Sequence, residues 1–152
     1  MHIVLFSPEI PHNAGAAGRL ALATGSTLHL VKPLGFSLDE KAVRRAGLDY
    51  WKDVDLHVWE SFGALTATFP KARFWMLSTK ANRSIWDAEF CADDFLVFGP
   101  ESKGLPEEWA KGKDGIRIPM IASDHGGTRS LNLSTSVSVV LYEAQRQIGV
   151  LK

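Results

Sequence analysis

The sequence predicts an α/β protein in which a mostly parallel sheet is flanked by helices. Two observations lead to this prediction. Short apolar segments, such as residues 2–6, 28–31 and 95–98, alternate along the chain with segments that have helical features. These apolar segments also lack the regular polar–apolar alternation of a strand with one solvated face, which is expected when helices cover both faces of a parallel sheet.

The individual elements follow from local signals along the chain. Predicted strands cover residues 2–6, 28–31, 56–59, 73–78, 95–98 and 116–118. Predicted helices cover residues 13–24, 39–45 and 61–69, a short stretch from 106, and the segment from 133 towards the C-terminus. Asn13 is placed to cap the first helix, and Gly25 is placed to end it.

The most regular helical pattern closes the chain. Its apolar residues fall on one helical face: Leu133, Val137, Val140, Leu141, Ala144 and Ile148. Ser130 and Asn132 stand where a helix start needs capping oxygens. A helix start also presents unpaired N–H groups and a partial positive charge, which suit a ligand rich in acceptors. We therefore expect Ser130 and Asn132 to form one wall of a cofactor site.

Length and composition indicate one domain, residues 1–152, with ordinary globular content: 45% hydrophobic and 22% charged residues. We find no apolar run long enough to cross a membrane and no basic segment typical of a signal peptide. The single cysteine, Cys91, excludes an internal disulfide and suits a reducing compartment. We expect a cytoplasmic protein without a membrane partner.

The net charge of zero argues against a protein that binds polyanions through bulk charge. Local basic patches keep nucleic acid open as a partner, although solvated surface is the simpler interpretation of each patch. The patches are Lys41/Arg44/Arg45, Lys80/Arg83 and Lys111/Lys113/Arg117.

The segment from Asn13 to Arg19 follows a strand and opens a helix. It departs from the glycine-rich dinucleotide fingerprint at Asn13, and Lys32 stands where that fingerprint needs an acidic residue. An oxidoreductase is therefore disfavoured. Arg19 lies close to the helix start, where its planar guanidinium is expected to reach a phosphate or a ribose. The alternative is that Gly15 and Gly18 only allow close packing.

A second candidate segment follows the strand at 95–98, where Gly99 and Gly104 surround Glu101. Ligands bind at the carboxyl ends of parallel strands, and glycines there let the backbone approach a flat ligand. A surface turn with a solvated glutamate is the alternative. The histidines have no metal-binding spacing, so no metal is expected.

Taken together, three segments resemble the motifs of the SPOUT methyltransferases. They are Asn13-x-Gly15-x-x-x-Arg19, Phe98-Gly-Pro-Glu101-x-x-Gly104-Leu105, and Ile118-Pro-Met followed by Arg129-Ser-Leu-Asn132-Leu-Ser. The chain is similar to the SpoU-like branch, which methylates ribose 2′-hydroxyls of RNA. Within that branch it looks like the small tRNA (cytidine/uridine-34 2′-O)-methyltransferases, and the resemblance covers nearly the whole chain.

This resemblance implies a deep C-terminal trefoil knot, S-adenosylmethionine as methyl donor with S-adenosylhomocysteine as product, and tRNA as substrate. It also implies a homodimer formed through the C-terminal helix and the Asn13–Arg19 region. The implied cofactor-binding residues are Leu77, Gly99, Glu101, Gly104, Ile118, Met120, Ser130, Leu131 and Leu133. The implied catalytic residues are Arg19, Asn13, Glu101, Ser130 and Asn132.

The loop between Pro119 and Arg129 departs from this resemblance, because we expect it to be about four residues shorter in the wobble-specific relatives. Two alternatives therefore stay open: a non-catalytic RNA-binding or assembly factor with the same fold, and an rRNA 2′-O-methyltransferase. Whether Arg19 acts as a base or as an orienting cation also stays open, since arginine is almost always protonated.

Overall fold

The computed structural model describes residues 1–39, 41, 49–121 and 127–150. Within these residues the chain forms seven strands: β1 (His2–Phe6), β2 (Thr27–Val31), β3 (Leu56–Trp59), β4 (Phe74–Leu77), β5 (Arg83–Ser84), β6 (Phe95–Phe98) and β7 (Gly115–Arg117). The strands lie in one sheet in the order β3-β2-β1-β6-β4-β7-β5. Every neighbouring pair is parallel, which confirms the predicted fold class.

The described helices are α1 (Pro11–Thr24), α2 (Phe62–Thr68), α3 (Glu107–Ala110) and α4 (Leu133–Gln147). Two 3₁₀ helices cover Asp49–Asp53 and Ile85–Asp87. The predicted helix at 39–45, with Arg44 and Arg45 of one basic patch, lies outside the described residues except for residues 39 and 41. No helix in the described ranges is long and apolar enough to cross a membrane.

Apolar layers cover both faces of the sheet, as the unalternating strands predict. One layer packs β1, β2 and β6 against the alanines of α1 and against Val137, Val140, Leu141 and Ala144 of α4. The other packs the opposite strand faces against Leu65 of α2 and Trp109 of α3. The predicted face of α4 is thus confirmed at its four central positions, while Ile148 lies just beyond the last helical residue.

Helix α1 begins earlier than predicted, and Asn13 does not cap it. Ile10 occupies the cap position without a side-chain hydrogen bond, and Pro11 opens the helix. Proline suits the first turn because its fixed φ is already helical and its missing N–H has no intrahelical partner there. Gly25 ends the helix with φ +62°, as predicted. The side chain of Asn13 is therefore free for long-range contacts.

Strand β5 has no counterpart in the sequence prediction, because two residues are too short for a periodic signal. Strand β7 ends at Arg117, so Ile118 follows the strand instead of closing it. Since all strands are parallel, the loops after β1, β4, β6 and β7 leave from the same edge of the sheet. That edge carries the three segments identified in the sequence.

Candidate active site

A cavity of about 480 Å³ lies at the carboxyl edge of the sheet. Its walls come from the end of β4, the loop after β6, the segment after β7 and the start of α4. All nine residues implied as cofactor-binding line this cavity: Leu77, Gly99, Glu101, Gly104, Ile118, Met120, Ser130, Leu131 and Leu133. Three segments that are far apart in the chain therefore meet around one hollow, which we call the first cavity.

The loop after β6 is a compact turn that depends on two glycines. A Cβ on Gly99 would lie 2.3 Å from the backbone nitrogen of Leu105, so no other residue fits there without moving the loop. Gly104 has φ +69°, a left-handed conformation that favours glycine. Its N–H donates to the carbonyl of Pro100 at 2.8 Å. This turn holds Glu101 at the mouth of the first cavity.

The Glu101 carboxylate accepts three hydrogen bonds from the chain segment that opens α1. The donors are the backbone N–H of Glu9 at 2.8 Å, the backbone N–H of Ile10 at 3.1 Å and the side-chain amide of Asn13 at 2.9 Å. Burial raises the pKa of Glu101, but these hydrogen bonds together outweigh burial and hold the pKa below its ordinary value. The carboxylate is therefore ionised and held in place.

Asn132 connects α4 to the same group. Its Oδ1 caps the helix by accepting from the backbone N–H groups of Ser134 and Thr135, as predicted. Its Nδ2 donates to Oδ1 of Asn13 at 3.1 Å. Because Asn13 in turn donates to Glu101, one line of hydrogen bonds joins the starts of α4 and α1 to the loop after β6.

Glu9, which is not among the predicted site residues, forms a further connection between the loops after β1 and β6. Its carboxylate accepts from the backbone N–H of Ser102 at 2.8 Å and from the Ser102 hydroxyl at 2.7 Å. The loops after β1 and β6 thus exchange carboxylate–amide hydrogen bonds in both directions. We call Glu9, Asn13, Glu101, Ser102 and Asn132 the carboxylate cluster.

Arg19 does not line the first cavity of its own chain. Arg19 follows Asn13 by six residues, or about one and two-thirds helical turns, so the two side chains leave the helix in different directions. Asn13 is buried, whereas Arg19 is exposed. Its guanidinium lies 5.3 Å from the ring centre of Tyr50, and the Tyr50 hydroxyl donates to the carbonyl of Gly15 at 2.8 Å. The two side chains therefore lie on different faces of α1 within a single chain.

Ser130 is exposed and lines the first cavity, but it does not cap α4, because Asn132 occupies the cap position. Its carbonyl accepts from the Thr128 hydroxyl at 2.6 Å. Most of the loop predicted to be longer than in relatives, residues 122–126, lies outside the described residues. Further lining residues that the sequence analysis missed are Ser78, Thr79, Lys80, Ser102, Lys103 and Ser136. Ser78 to Lys80 follow β4, so the rule that identified Glu101 applies to them as well.

Glu107 joins residues from two predicted basic patches. Lys80 lies 3.3 Å and Lys111 2.6 Å from its carboxylate oxygens. In the described ranges no group of three or more histidine, cysteine or acidic residues is arranged to hold a metal ion.

The chain is similar to known proteins over nearly its whole length. Residues 1–142 match the SpoU rRNA Methylase family. A tRNA (cytidine(34)-2′-O)-methyltransferase of Saccharophagus degradans is 46% identical over 97% of this chain and 96% of its own length. A solved structure described as giving insights into the 2-OH methylation of C/U34 on tRNA has 47% identity and a TM-score of 0.85, covering 96% of this chain and 94% of its own.

More distant structures share the fold alone. The SpoU methyltransferase AviRb from Streptomyces viridochromogenes, solved with AdoMet, has a TM-score of 0.80 at 23% identity, over 97% of this chain and 60% of its own. The match over residues 1–142 and the identity across nearly the full length of both chains establish the relationship. The chain belongs to the SpoU rRNA Methylase family.

Proposed function

We propose that this chain is an enzyme that methylates the ribose 2′-hydroxyl of the wobble nucleotide, position 34, of tRNA, using S-adenosylmethionine. The observation that carries the proposal is the convergence of three distant loops on the first cavity, tied together by the carboxylate cluster. The substrate is inferred from relatives named as tRNA (cytidine(34)-2′-O)-methyltransferases.

The first cavity fits a nucleoside-sized donor. Its volume of about 480 Å³ is in the range of small-molecule sites, which combine apolar walls with a few polar groups. Leu77, Ile118 and Leu133 supply apolar walls, while the backbone of the loop at Gly99 supplies polar groups that glycine leaves accessible. When bound, the donor supplies a methyl group on a sulfonium.

The chain's own residues have to align the ribose hydroxyl, whose proton passes to solvent as the bond from oxygen to the methyl group forms and the bond from sulfur to the methyl group breaks. Alignment alone contributes several kcal/mol, roughly 7 or more in well-oriented cases. Glu101 is poorly placed to act as a base, since its carboxylate already accepts from Glu9, Ile10 and Asn13. We assign Glu101, Asn13 and Asn132 the role of positioning residues.

Arg19 is assigned the role of an orienting cation in the site of a second copy. It is exposed, carries a planar fork suited to phosphate, and does not line the cavity of its own chain. A homodimer through α4 and the Asn13–Arg19 region would bring it opposite the donor, where it would stabilise the forming alkoxide. The working unit is then a cytoplasmic dimer of one-domain chains that contain the trefoil knot implied by the resemblance.

The decisive experiment incubates the protein with total tRNA and radiolabelled donor, and then maps the methylated nucleotide. We expect one 2′-O-methylated pyrimidine at position 34. Methylation of rRNA, or of another tRNA position, would overturn the proposed substrate. No incorporation into any RNA would favour the non-catalytic alternative.

Donor binding can be tested separately by thermal unfolding. S-adenosylhomocysteine is expected to raise the melting temperature because a ligand that binds only the native state stabilises it, whereas NAD is not. A shift with NAD alone would contradict the proposed donor.

A further inference from the structure

A second cavity, of about 680 Å³, lies beside the first one at the same edge of the sheet. It is formed by the loops after β1, β2 and β6, and includes Phe6, Ser7, Leu34 and Lys103. The two cavities share five lining residues: Lys80, Pro100, Lys103, Gly104 and Leu105. A single turn of the loop after β6 therefore separates them.

The second cavity lies outside the carboxyl ends of β1 and β6, a position at which open parallel sheets bind ligands. Strands β1 and β6 are neighbours in the sheet, and the connections that follow them run in opposite directions. The connection through α1 leads from β1 to β2 on one side, and the connection through α3 leads from β6 to β7 on the other side. Ligands bind in the crevice where neighbouring connections diverge in this way. The second cavity opens at this divergence, whereas the first extends past it to β4 and β7.

The loops that build the second cavity are tied to one another, so the cavity is preformed. Gly35 donates its N–H to the carbonyl of Pro8 at 2.9 Å, and a Cβ on Gly35 would lie 2.5 Å from the carbonyl oxygen of Glu9. Glu9 is bonded in turn to Ser102. Ser7 adopts φ +50°, a backbone conformation that is uncommon for residues other than glycine and often found at functional sites.

The chemistry of the lining suits a nucleotide. Phe6, Pro33 and Leu34 give an apolar wall, and one side of Phe6 is packed on Trp109 at a ring-centre distance of 5.2 Å. Lys103 is exposed and has no carboxylate within ion-pair distance in the described part of the chain, while Lys80 is paired with Glu107. An apolar wall next to an unpaired cation fits a base and its phosphate.

We infer that the second cavity is an RNA subsite that takes the nucleotide next to the methylated one, with its base against Phe6 and Leu34 and its phosphate at Lys103. This inference rests on the proposed function, because the adjoining first cavity must hold the donor. It makes the loops after β1 and β2 part of RNA recognition.

The first test is photo-crosslinking of the full-length protein. Anticodon stem-loop RNA carries 4-thiouridine on one or the other side of the target nucleotide, and S-adenosylhomocysteine is present. Mass spectrometry is expected to place a crosslink in the segments around Phe6–Ser7 or Pro33–Leu34. Crosslinks confined to other segments would overturn the inference. The unsubstituted RNA is first shown to be methylated, so that failure of the proposed function is recognised separately.

The second test measures RNA affinity of variants at several salt concentrations. Leu34→Asp is expected to weaken binding at least tenfold, because it places a carboxylate in the apolar wall, which would have to be desolvated against the base and would repel the phosphate. Lys103→Ala is expected to weaken binding several-fold and to reduce the slope of log Kd against log salt by about one. The matched control is Lys71→Ala, an exposed lysine in the turn before β4, at the opposite edge of the sheet.

Binding of S-adenosylhomocysteine to Leu34→Asp, measured by calorimetry, separates the two cavities because Leu34 lines only the second one. Unchanged donor affinity with weakened RNA binding supports the inference. An unchanged salt slope for Lys103→Ala would overturn it. Sedimentation of Leu34→Asp as an altered oligomer with wild-type RNA affinity would also overturn it, since the cavity would then be a contact between copies.

Discussion

Two groups of polar side chains connect parts of this protein that are distant in sequence, and they differ in what surrounds them. The carboxylate cluster lies at the carboxyl edge of the sheet and borders the first cavity. The second group, which we call the histidine cluster, consists of His2, His29, His57 and Trp59 on the sheet face covered by α2. None of these four residues lines either of the two cavities.

Aromatic rings pack around His29, the buried member of the histidine cluster. Trp59 donates its indole N–H to Nδ1 of His29 at 3.0 Å, so neutral His29 carries its proton on Nε2 and donates to Nδ1 of His2 at 3.0 Å. The His2 ring stacks on Phe95 with ring centres 4.0 Å apart. These hydrogen bonds satisfy buried groups and leave no acceptor or donor of His29 for a ligand.

The difference shows that a hydrogen-bonded polar network is not by itself a site. In both groups the buried member, Asn13 or His29, has its hydrogen bonds satisfied, as buried polar groups must. Only the carboxylate cluster ties together loops that leave one side open to a cavity. We therefore expect changes in the carboxylate cluster to affect catalysis strongly, and changes in the histidine cluster to affect stability alone.

The largest expected effect follows from Glu101→Gln. The amide brings an N–H group towards the backbone N–H groups of Glu9 and Ile10, so one of the hydrogen bonds to the start of α1 is lost. The loop after β6 then shifts relative to α1, and misplacement by about 1 Å can cost roughly a hundredfold in rate. We expect kcat/KM for methyl transfer to fall by about that factor.

The matched control is Glu108→Gln, which removes an exposed carboxylate of α3 that lines neither cavity. It should keep the wild-type rate. A Glu101→Gln enzyme with normal kcat/KM would show that the carboxylate cluster is as dispensable for catalysis as we expect the histidine cluster to be.

Arg19→Ala should lower turnover at least tenfold at saturating donor, because the proposed orienting cation is lost while α1 keeps its buried contacts. The dimer and the affinity for S-adenosylhomocysteine should stay unchanged, as sedimentation and calorimetry would show. Arg19→Lys keeps the charge but loses the planar fork, so it should recover only part of the activity.

Near-wild-type turnover of Arg19→Ala would remove this residue from the site. A stable monomer of the wild-type chain at micromolar concentration would remove it as well, since a single chain does not place Arg19 at its own cavity.

Asn132 allows the helix cap to be separated from the carboxylate cluster. Asn132→Asp keeps a capping oxygen but loses the amide that donates to Asn13, whereas Asn132→Ala loses both. We expect Ala to lower the free energy of unfolding by about 1 kcal/mol and Asp to leave it nearly unchanged. Both should reduce methyl transfer several-fold. Full activity of the Asp variant would mean that Asn132 serves only as a cap.

The sequence predicts the carboxylate cluster in part, and the reason is visible in its members. Asn132 precedes a periodic helix, and Glu101 follows a strand between glycines, so local rules identify both. Glu9 and its bonds to Ser102 join residues 93 positions apart and leave no periodic signal. Asn13 fits a cap pattern, but Pro11 begins the helix earlier and turns Asn13 towards Glu101.

The histidine cluster could not be predicted for a related reason. His2, His29 and His57 lie on three neighbouring strands, and their separations of 27 and 28 residues are far too long for the period of a helix or a strand to relate them. Sheet order brings them together, and that order depends on pairing between segments that are distant in sequence. The parallel fold class, in contrast, follows from the local alternation of strands and helices.

The last expected effect concerns stability in acid, and it separates the two clusters by the pH range in which each one changes its protonation state. Burial lowers the pKa of His29 from 6.5 to about 3, and burial lowers the pKa of His2 as well. Below pH 6.5 the unfolded chain therefore binds a proton at residue 29 that the folded chain does not. The free energy of unfolding falls with falling pH by up to about 1.4 kcal/mol per unit from this residue.

His29→Gln should reduce this loss of stability, which urea unfolding at about pH 7 and about pH 5 would measure. The drop in the free energy of unfolding between the two pH values is expected to be smaller in the variant than in the wild type by up to about 2 kcal/mol. Glu101→Gln should leave the loss in this interval unchanged. The pKa of Glu101 is held below its ordinary 4.5, so its contribution is present above that value and is lost only as the pH falls through the lowered pKa. Equal pH dependence of wild type and His29→Gln would show that His29 is not buried in its neutral form, and the two clusters would then no longer differ in their response to acid.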